Sequence, residues 1–462
     1  MASTKLTRTP SSVGNSKTWT YSMWIKLGNI TTEYVLFHNY GSSGSDEVYA
    51  KIGGSSGVID FALRYGGTYE GRLITNRKFR DPSAWYHLVF ACDTTSGTAT
   101  NRQRIYVNGV EETDFSTDTQ IAQDAGTVFN QAYEHTIGSY GSGNYFDGEM
   151  AHVHFCDGYA YAASDFGETD STSGIWIAKT SPSVSYGNNG IFLKFASGAT
   201  LTDSSGNGNN MTLGGGTLTA LKDSPDNNWS TWNPLYQPTG NYPTFANCNT
   251  TCTSQNSSGK YWGSASTLGM QTGKWYAEFK AVTASNKPSF GVTQAPGLLA
   301  YNQTYLGNRN YDYAYISDGG IYNNNNETAA WGNTFTTGDI VMVALDLDNN
   351  KIYFGKNGTW ENSGDPTSGA TGTGAAYTVT SVAAATAAND WNSPNSEGAY
   401  FFACSDQSTG GDTMAANFGN GFFETTAVTS AGNSSTGDDS VWEYDCPAGY
   451  YGLNTINMAT YG

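Results

Sequence analysis

The punctuation of this chain restricts its fold more than any other feature. Apolar residues come in short runs, and clusters of Gly, Asn, Asp or Ser close each run. The clearest are Trp19–Leu27, Val58–Arg64, Trp85–Cys92, Gln103–Asn108 and Glu149–Phe155. Each is too short for a helix and rich in β-branched and aromatic side chains, so each reads as a strand. Asn108-Gly109 inside Val107–Val110 supplies the positive φ values of a tight hairpin turn. Glycine fills 56 of 462 positions, well above the usual share of about 7%. Short strands with a turn after each predict an all-β chain of sandwich or jelly-roll type.

Composition then removes other classes. The net charge is −18 and only 13% of residues are charged, so the chain would repel the phosphates of a nucleic acid. Aromatic residues reach 14%, which excludes a disordered tail. No window approaches 18 consecutive apolar residues, so none reads as a spanning helix, and insertion into a membrane is not expected. The N-terminus, Met1 to Pro10, has no apolar stretch of the kind a secretory signal needs. A surface rich in Asn, Thr, Ser, Gly and Tyr without such a signal predicts release by lysis, as for a virion component.

The length allows two or three domains. A first set of strands fills residues 1–200. Residues 223–243 hold four of the twelve prolines, which excludes regular sheet or helix there, so residues 201–244 are expected to connect two domains and to pack through Trp229 and Trp232. A second set of strands, Lys274–Ala281, Ser289–Val292, Asp339–Leu347, Lys351–Gly355 and Ala399–Cys404, fills residues 245–425. Asp348-Asn349-Asn350 and Asn357-Gly358 read as turns. Residues 363–396, rich in Thr, Ala, Gly and Ser, read as a long surface excursion. Residues 426–462 are expected to form a C-terminal segment.

Two families match these motifs in order. Tyr21–Lys26, Trp85–Val89, Ile105–Gly109, Ile137-Gly138 and Phe146–Val153 resemble a concanavalin A-like, laminin-G-like sandwich. Gly273–Glu278, Phe290–Val292, Gly338-Asp339, Leu345–Asp348 with Lys351–Phe354 and Asn357-Gly358, then Phe401-Phe402 and Asn417–Gly419, resemble a SPRY domain. Segments such as Phe155–Gly158, Asp165–Glu168, Gly174–Trp176, Asp203–Asn209 and Pro447–Tyr451 resemble tailed-phage, largely marine, virion proteins in which a laminin-G-like domain precedes a SPRY-like one. That resemblance implies two tandem β-sandwich domains with a C-terminal extension, and a non-enzymatic role in host or glycan adhesion as a tail-fibre, receptor-binding or capsid-decoration component. The implied partners are other virion proteins, a host surface glycan or receptor, and further copies of the chain. The implied location is the virion surface, after synthesis in the host cytoplasm.

The concanavalin A-like fold also hosts glycan hydrolases, so a polysaccharide depolymerase is the alternative. Such enzymes need paired carboxylates, for which E-x-D-x-x-E on one strand face is a signature. Glu112-Thr113-Asp114 and Glu168-Thr169-Asp170 begin it, but Thr117 and Ser173 stand where the last Glu belongs. All five histidines precede residue 155, which leaves the second half without an imidazole base. His152 and His154 alternate on one strand and are a candidate metal pair or ordinary polar residues. Calcium at a loop rim would draw on Asp46-Glu47, Asp93, Asp147 or Asp203 with Asn207 and Asn209. Of six cysteines, Cys248 and Cys252 are either a local disulfide or free thiols, and Cys92 and Cys156 end strands.

Sugar binding would use rings beside amide groups. The candidates are Tyr140 and Tyr145 in the first domain, with Tyr301, Tyr305, Tyr311, Tyr313 and Trp391 in the second. Seven of the eight arginines precede residue 105, so the second half is the more acidic and is expected to meet neutral sugars or to need a cation.

Overall fold

The computed structural model describes residues 3–42, 44–171, 173–195, 201–236, 243–255, 262–297, 305–382, 397–407, 411–429 and 438–462. Alternation organises it. On the strand Thr18–Leu27, Trp19, Tyr21, Met23, Ile25 and Leu27 join one core, while Trp24 joins a separate cluster on the other side of the sheet. The chain forms two units, residues 1–220 with 224–226 and residues 221–223 with 227–462.

The strands of unit 1 are β1 (Lys5–Arg8), β2 (Thr18–Leu27), β3 (Glu33–Tyr40), β4 (Glu47–Gly53), β5 (Val58–Tyr65), β6 (Thr68–Thr75), β7 (Trp85–Asp93), β8 (Gln103–Val107), β9 (Val110–Glu111), β10 (Phe115–Thr119), β11 (His135–Ile137), β12 (Gly148–Asp157), β13 (Gly167–Thr169), β14 (Trp176–Ala178), β15 (Ile191–Leu193) and β16 (Thr212–Gly215). They build an eight-stranded sheet, β10-β6-β5-β4-β3-β11-β1-β16, and a six-stranded sheet, β15-β12-β2-β7-β8-β9. The core between them includes Trp19, Tyr21, Phe37, Phe61, Phe90 and Phe129. Tyr21 stacks on Phe37 at 4.4 Å, and Trp19 lies 4.6 Å from Phe129. The expected turn joins β8 to β9, with Asn108 at φ 47 and Gly109 at φ 86.

Unit 2 contains β17 (Thr244–Ala246), β18 (Thr251–Thr253), β19 (Trp262–Ala265), β20 (Lys274–Ala281), β21 (Pro288–Thr293), β22 (Tyr313–Ile316), β23 (Ile321–Asn323), β24 (Asn326–Thr328), β25 (Ile340–Asp346), β26 (Lys351–Lys356), β27 (Thr359–Trp360), β28 (Tyr377–Thr378), β29 (Phe401–Asp406) and β30 (Thr413–Asn417). One sheet runs β17-β18-β30-β20-β25-β26-β27, with β28 also on β26, and it faces β19-β29-β21-β22-β23-β24. Trp232, Trp275, Phe279, Phe290, Phe402 and Phe418 fill the space between them. A short helix, α1 (Thr455–Tyr461), follows, with the Asn454 side chain capping the Asn457 amide.

The segment 201–244, read from sequence as a connection, is divided between the units. Its first part completes unit 1, because β16 pairs with β1 and Met211 enters the core. Asp203 ties that return down, accepting from the Phe192, Ser205 and Asn209 amides. Trp229 and Trp232 are fully buried in unit 2. The C-terminal segment is also an integral part of unit 2. Trp442 and Tyr450 pack on Tyr276, Met342, Ala344 and Tyr353, on the outer face of the first sheet. Beneath them the buried Glu278 carboxylate accepts from the Glu443 amide (2.9 Å) and the Tyr444 amide (2.8 Å). Burial pushes its pKa up to about 7 against those hydrogen bonds. Part of the 363–396 excursion packs as well, with Val379 in the core and Tyr377 against it; residues 383–396 lie outside the described residues.

A fragment ending at residue 226 should therefore unfold as one cooperative unit. A fragment ending at residue 200 loses β16 and the burial of Met211, and calorimetry should show it less stable by at least about 3 kcal/mol.

Candidate functional site

In unit 1 the outer face of the six-stranded sheet is closed. Tyr161, Ala163, Phe166, Trp176 and Tyr186, all from the segment after β12, pack on Val89, Ala91, Tyr106 and Cys156. Trp176 also meets Trp24, Trp85 and Ala151.

Under this cover lies a pair that resembles catalytic chemistry. His87 Nε2 is 2.9 Å from Ser22 Oγ, and Trp176 Nε1 is 3.0 Å from His87 Nδ1. An indole N–H only donates, so Nδ1 accepts and the ring proton sits on Nε2, from which it is donated to the serine. A base that activates a serine hydroxyl must accept at that atom. Burial, with a smaller contribution from His152, pushes His87 down to about 3. The pair is a buried hydrogen-bond network. His154 is closed in the same way, with Nδ1 2.9 Å from Tyr186 Oη and its ring stacked on Phe192 at 4.0 Å. His152, at φ 47 in a bulge of β12, also packs on Phe192. No cluster of three or more His, Cys, Asp or Glu side chains able to hold a metal occurs among the described residues.

The outer face of the larger sheet is different. Along β4, Val48, Ala50 and Ile52 belong to the core, which turns Glu47, Tyr49 and Lys51 to the other face. On β5 the pattern repeats, with Ile59, Phe61 and Leu63 inside and Asp60, Ala62 and Arg64 outside. A bulge at Leu36 changes the phase of β3, so that His38 faces Tyr49 and Tyr40 faces Glu47 across the ladder. After β11, Gly138 (φ 80) and Gly141 (φ 57) fold the loop back. The tight pairing of Tyr140 with Gly143 then presents the Tyr140 ring to this face.

Glu47 is the centre of the resulting cluster. Its side chain is 2% exposed, with Arg64 Nη1 2.9 Å from Oε1 and His38 Nε2 3.5 Å from Oε2. The Tyr140 hydroxyl donates to Oε2. Burial pushes the Glu47 carboxyl up, but the contacts from His38, Tyr140 and Arg64 outweigh it and hold it at about 2. The His38 ring lies 4.1 Å from Tyr40 and 4.4 Å from Tyr140. One strand away, Arg72 grips Asp60 with both arms, at 3.0 and 2.7 Å. Lys51 sits over the Tyr49 ring at 4.5 Å and Arg72 over Tyr69 at 4.2 Å. Lys51 also pairs with Glu33 at 3.4 Å, so each of the three cations Arg64, Arg72 and Lys51 has a carboxylate, and the rings of Tyr40 and Tyr140 are half-exposed beside them.

This geometry does not suit two-carboxylate hydrolysis. Glu47 stands opposite Arg64 and Asp60 opposite Lys51, which puts their Cα atoms roughly 14 Å apart on adjacent strands, and each carboxylate is engaged by an arginine. Paired catalytic carboxyl groups work at about 5–10 Å, and one must keep its proton near neutral pH. The carboxylates of the partial sequence signature serve elsewhere: Glu112 pairs with Arg77 at 2.9 Å, and Asp170 accepts from the Ser173 amide. The calcium candidates are similarly engaged in turns. Asp46 accepts from the Gly66 amide, Asp93 from the Thr95 amide and Asp203 from three amides, while the Asp147 carbonyl accepts from Gly28.

Of the residues expected to bind sugar, Tyr140 belongs to this face and Tyr145 lies half-buried in the same loop. Tyr305 donates to Asn325 and meets Tyr322 edge-on, which ties its loop to the β23–β24 hairpin. Tyr311 is half-buried just before β22. Tyr313 is a correction: it begins β22, is 2% exposed and packs between the sheets against Tyr377 and Tyr400. Tyr301 and Trp391 lie outside the described residues. The sequence reading missed His38, Arg64, Asp60 and Arg72 altogether. Their signal was the alternation Glu47-x-Tyr49-x-Lys51 beside Asp60-x-Ala62-x-Arg64.

Comparison with known families fits the two units. The concanavalin A-like lectin/glucanases superfamily matches residues 2–164 and the SPRY domain family matches residues 274–389. The chain thus carries a concanavalin A-like lectin/glucanase domain followed by a SPRY domain. Among solved structures, the SPRY domain of human HERC1 aligns at 18% identity over 36% of this chain and 86% of its own, with a TM-score of 0.25. Another human SPRY domain aligns at 16% identity over 38% and 94%, with a TM-score of 0.27. The native heptameric SAP-like pentraxin of Limulus polyphemus aligns at 14% over 34% and 71%, also at 0.27. No curated protein matches the chain.

The depressed Glu47 pKa is a stability statement. An acid held below its ordinary value near 4.5 stabilises the fold above that value, and the contribution is lost as pH falls from 4.5 to about 2. Glu47→Gln should flatten this acid limb in denaturant titrations at pH 3 and pH 7, and should cost about 1–3 kcal/mol at pH 7 by leaving Arg64 and His38 without their partner.

Proposed function

We propose that the chain is a non-catalytic, glycan-binding adhesion protein of a phage virion surface, and that sugar lies against the open face of the larger sheet in unit 1. The observation that carries this reading is the face itself: two half-exposed tyrosines beside a buried, ionised Glu47. Rings supply apolar planes for sugar C–H groups, and oriented charged groups supply directional hydrogen bonds. The balance of acid and base on the face suits neutral sugars, while the net charge of −18 disfavours anionic polymers.

Several features support the absence of catalysis. Glu47 and Asp60 are each paired with an arginine, Glu47 is held ionised, and the Ser22–His87 pair points its proton the wrong way. The superfamily matched by unit 1 includes lectins and glucanases alike, so the match alone is neutral. The virion setting rests on the resemblance of the two-domain order and its motifs to tailed-phage proteins, with other virion proteins, a host surface glycan or receptor and further copies of the chain as its partners. Placement in a tail fibre, a receptor-binding tip or a capsid decoration is consistent with that setting.

Purified protein should bind immobilised neutral host polysaccharide and release no new reducing ends. Tyr140→Ala and Tyr40→Ala should each weaken binding about tenfold, the loss of one ring contact worth about 1.4 kcal/mol. Reproducible release of reducing ends would establish the depolymerase reading instead. Unchanged binding by both variants would move the site to another surface.

A further inference from the structure

Cys252 and Cys404 come from opposite sheets of unit 2. Cys252 is the central residue of β18, and Cys404 lies in β29. They are 1% and 0% exposed and share one hydrophobic cluster. Two residues further along each strand, Ser254 Oγ donates to Asp406 Oδ2 at 2.9 Å. β18 and β29 therefore approach each other side by side, at 252 with 404 and at 254 with 406, and the serine–aspartate bond fixes the approach. The two free thiols lie near enough for Cys404, with burial, to raise the Cys252 pKa.

Cys248 and Cys252 are free thiols, the second of the two readings left open by their spacing, and Cys92 and Cys156 are also free. Cys92 faces the core from β7, and Cys156 faces the opposite side of the same sheet from β12, with β2 between them. Cys248 sits in the left-handed turn before β18, while Cys252 points inward to Cys404.

We propose that Cys252 and Cys404 are a redox pair that closes into a cross-sheet disulfide when the protein meets a low-molecular-weight disulfide. One thiol loses its proton and its sulfur attacks the oxidant, which forms a mixed disulfide and expels a thiolate. The second cysteine loses its proton, attacks the protein-side sulfur and expels the other half of the oxidant. Two S–H bonds and the oxidant's S–S bond break, one protein S–S bond and two small-molecule S–H bonds form, and the oxidant takes up the two electrons. Burial and the raised thiol pKa make the intact fold slow to react. β18 has only three residues and lies next to the edge strand β17, so local opening of this corner exposes the pair. The inference is independent of the sugar-binding reading.

The full chain, purified under reductant, is incubated in a glutathione disulfide buffer and also refolded in it. It is then denatured in N-ethylmaleimide and weighed. Four adducts on a chain of six cysteines, with a 252–404 cross-linked peptide in the digest, is the expected result. Six adducts under both treatments, or a link through any other pair, overturns the proposal. The oxidised wild type should melt on the order of 10 °C above the reduced wild type, because the bond closes a long loop. Equal melting temperatures for the two forms would overturn the stapling role without recourse to any variant, and Cys404→Ser should show no difference between the two buffers.

Discussion

A β-sheet has two faces, and each must be either buried or made fit for water. Both units solve the inner faces in the same way, by closing two sheets on an aromatic core. They differ in what happens outside. The segment after β12 covers the smaller sheet of unit 1, and residues 442–450 cover the first sheet of unit 2. Among the described residues, the larger sheet of unit 1 carries ion pairs and half-exposed rings on its outer face, with only the short Tyr140 loop folded onto it. The chain spends its length asymmetrically, and the candidate site lies where that expenditure stops.

The charge distribution takes on a local meaning in this frame. Arg64 and Arg72 belong to the arginine-rich first part of the sequence, and both are committed to carboxylates on the same face. Their placement makes one surface of an acidic protein electrically balanced. Had Glu47 kept its proton, Arg64 would lie against a neutral acid, and the face would be a weak cationic patch. The depressed pKa keeps the face balanced at any pH above the acid range.

Much of the fold was legible in local chemistry. Trp19–Leu27 alternates as a strand must, and Asn108-Gly109 can hardly be anything but a tight turn. Tyr140 was legible as a loop ring for the same reason. His38, Glu47 and Arg64 were not, because they meet only through the register of three strands and a bulge at Leu36, and no short window of sequence encodes a register. Tyr313 misled because a Tyr- and Asn-rich stretch resembles a loop, although Tyr313 and Tyr315 both face the core of unit 2. The helix Thr455–Tyr461 is too short to show a periodic face, and its signal is a single capping asparagine. The division of 201–244 escaped notice because β16 pairs with a strand more than two hundred residues earlier.

The clamp at Glu278 has a consequence for biosynthesis. Its carboxylate lies in β20, in the interior of its sheet, yet the amides it needs belong to residues 443 and 444. A ribosome makes the anchor long before it makes the cover. Until residues 442–450 emerge, Tyr276 and Tyr353 face water, and the carboxylate among them has only Tyr276 and Asn417 as donors among the described residues. Unit 2 thus reaches its final form only after residues 442–450 have been made, and a chain terminated before them displays a bare apolar sheet that a cell's proteases and chaperones can recognise. Residues 442–450 act as a late seal on the sheet they close.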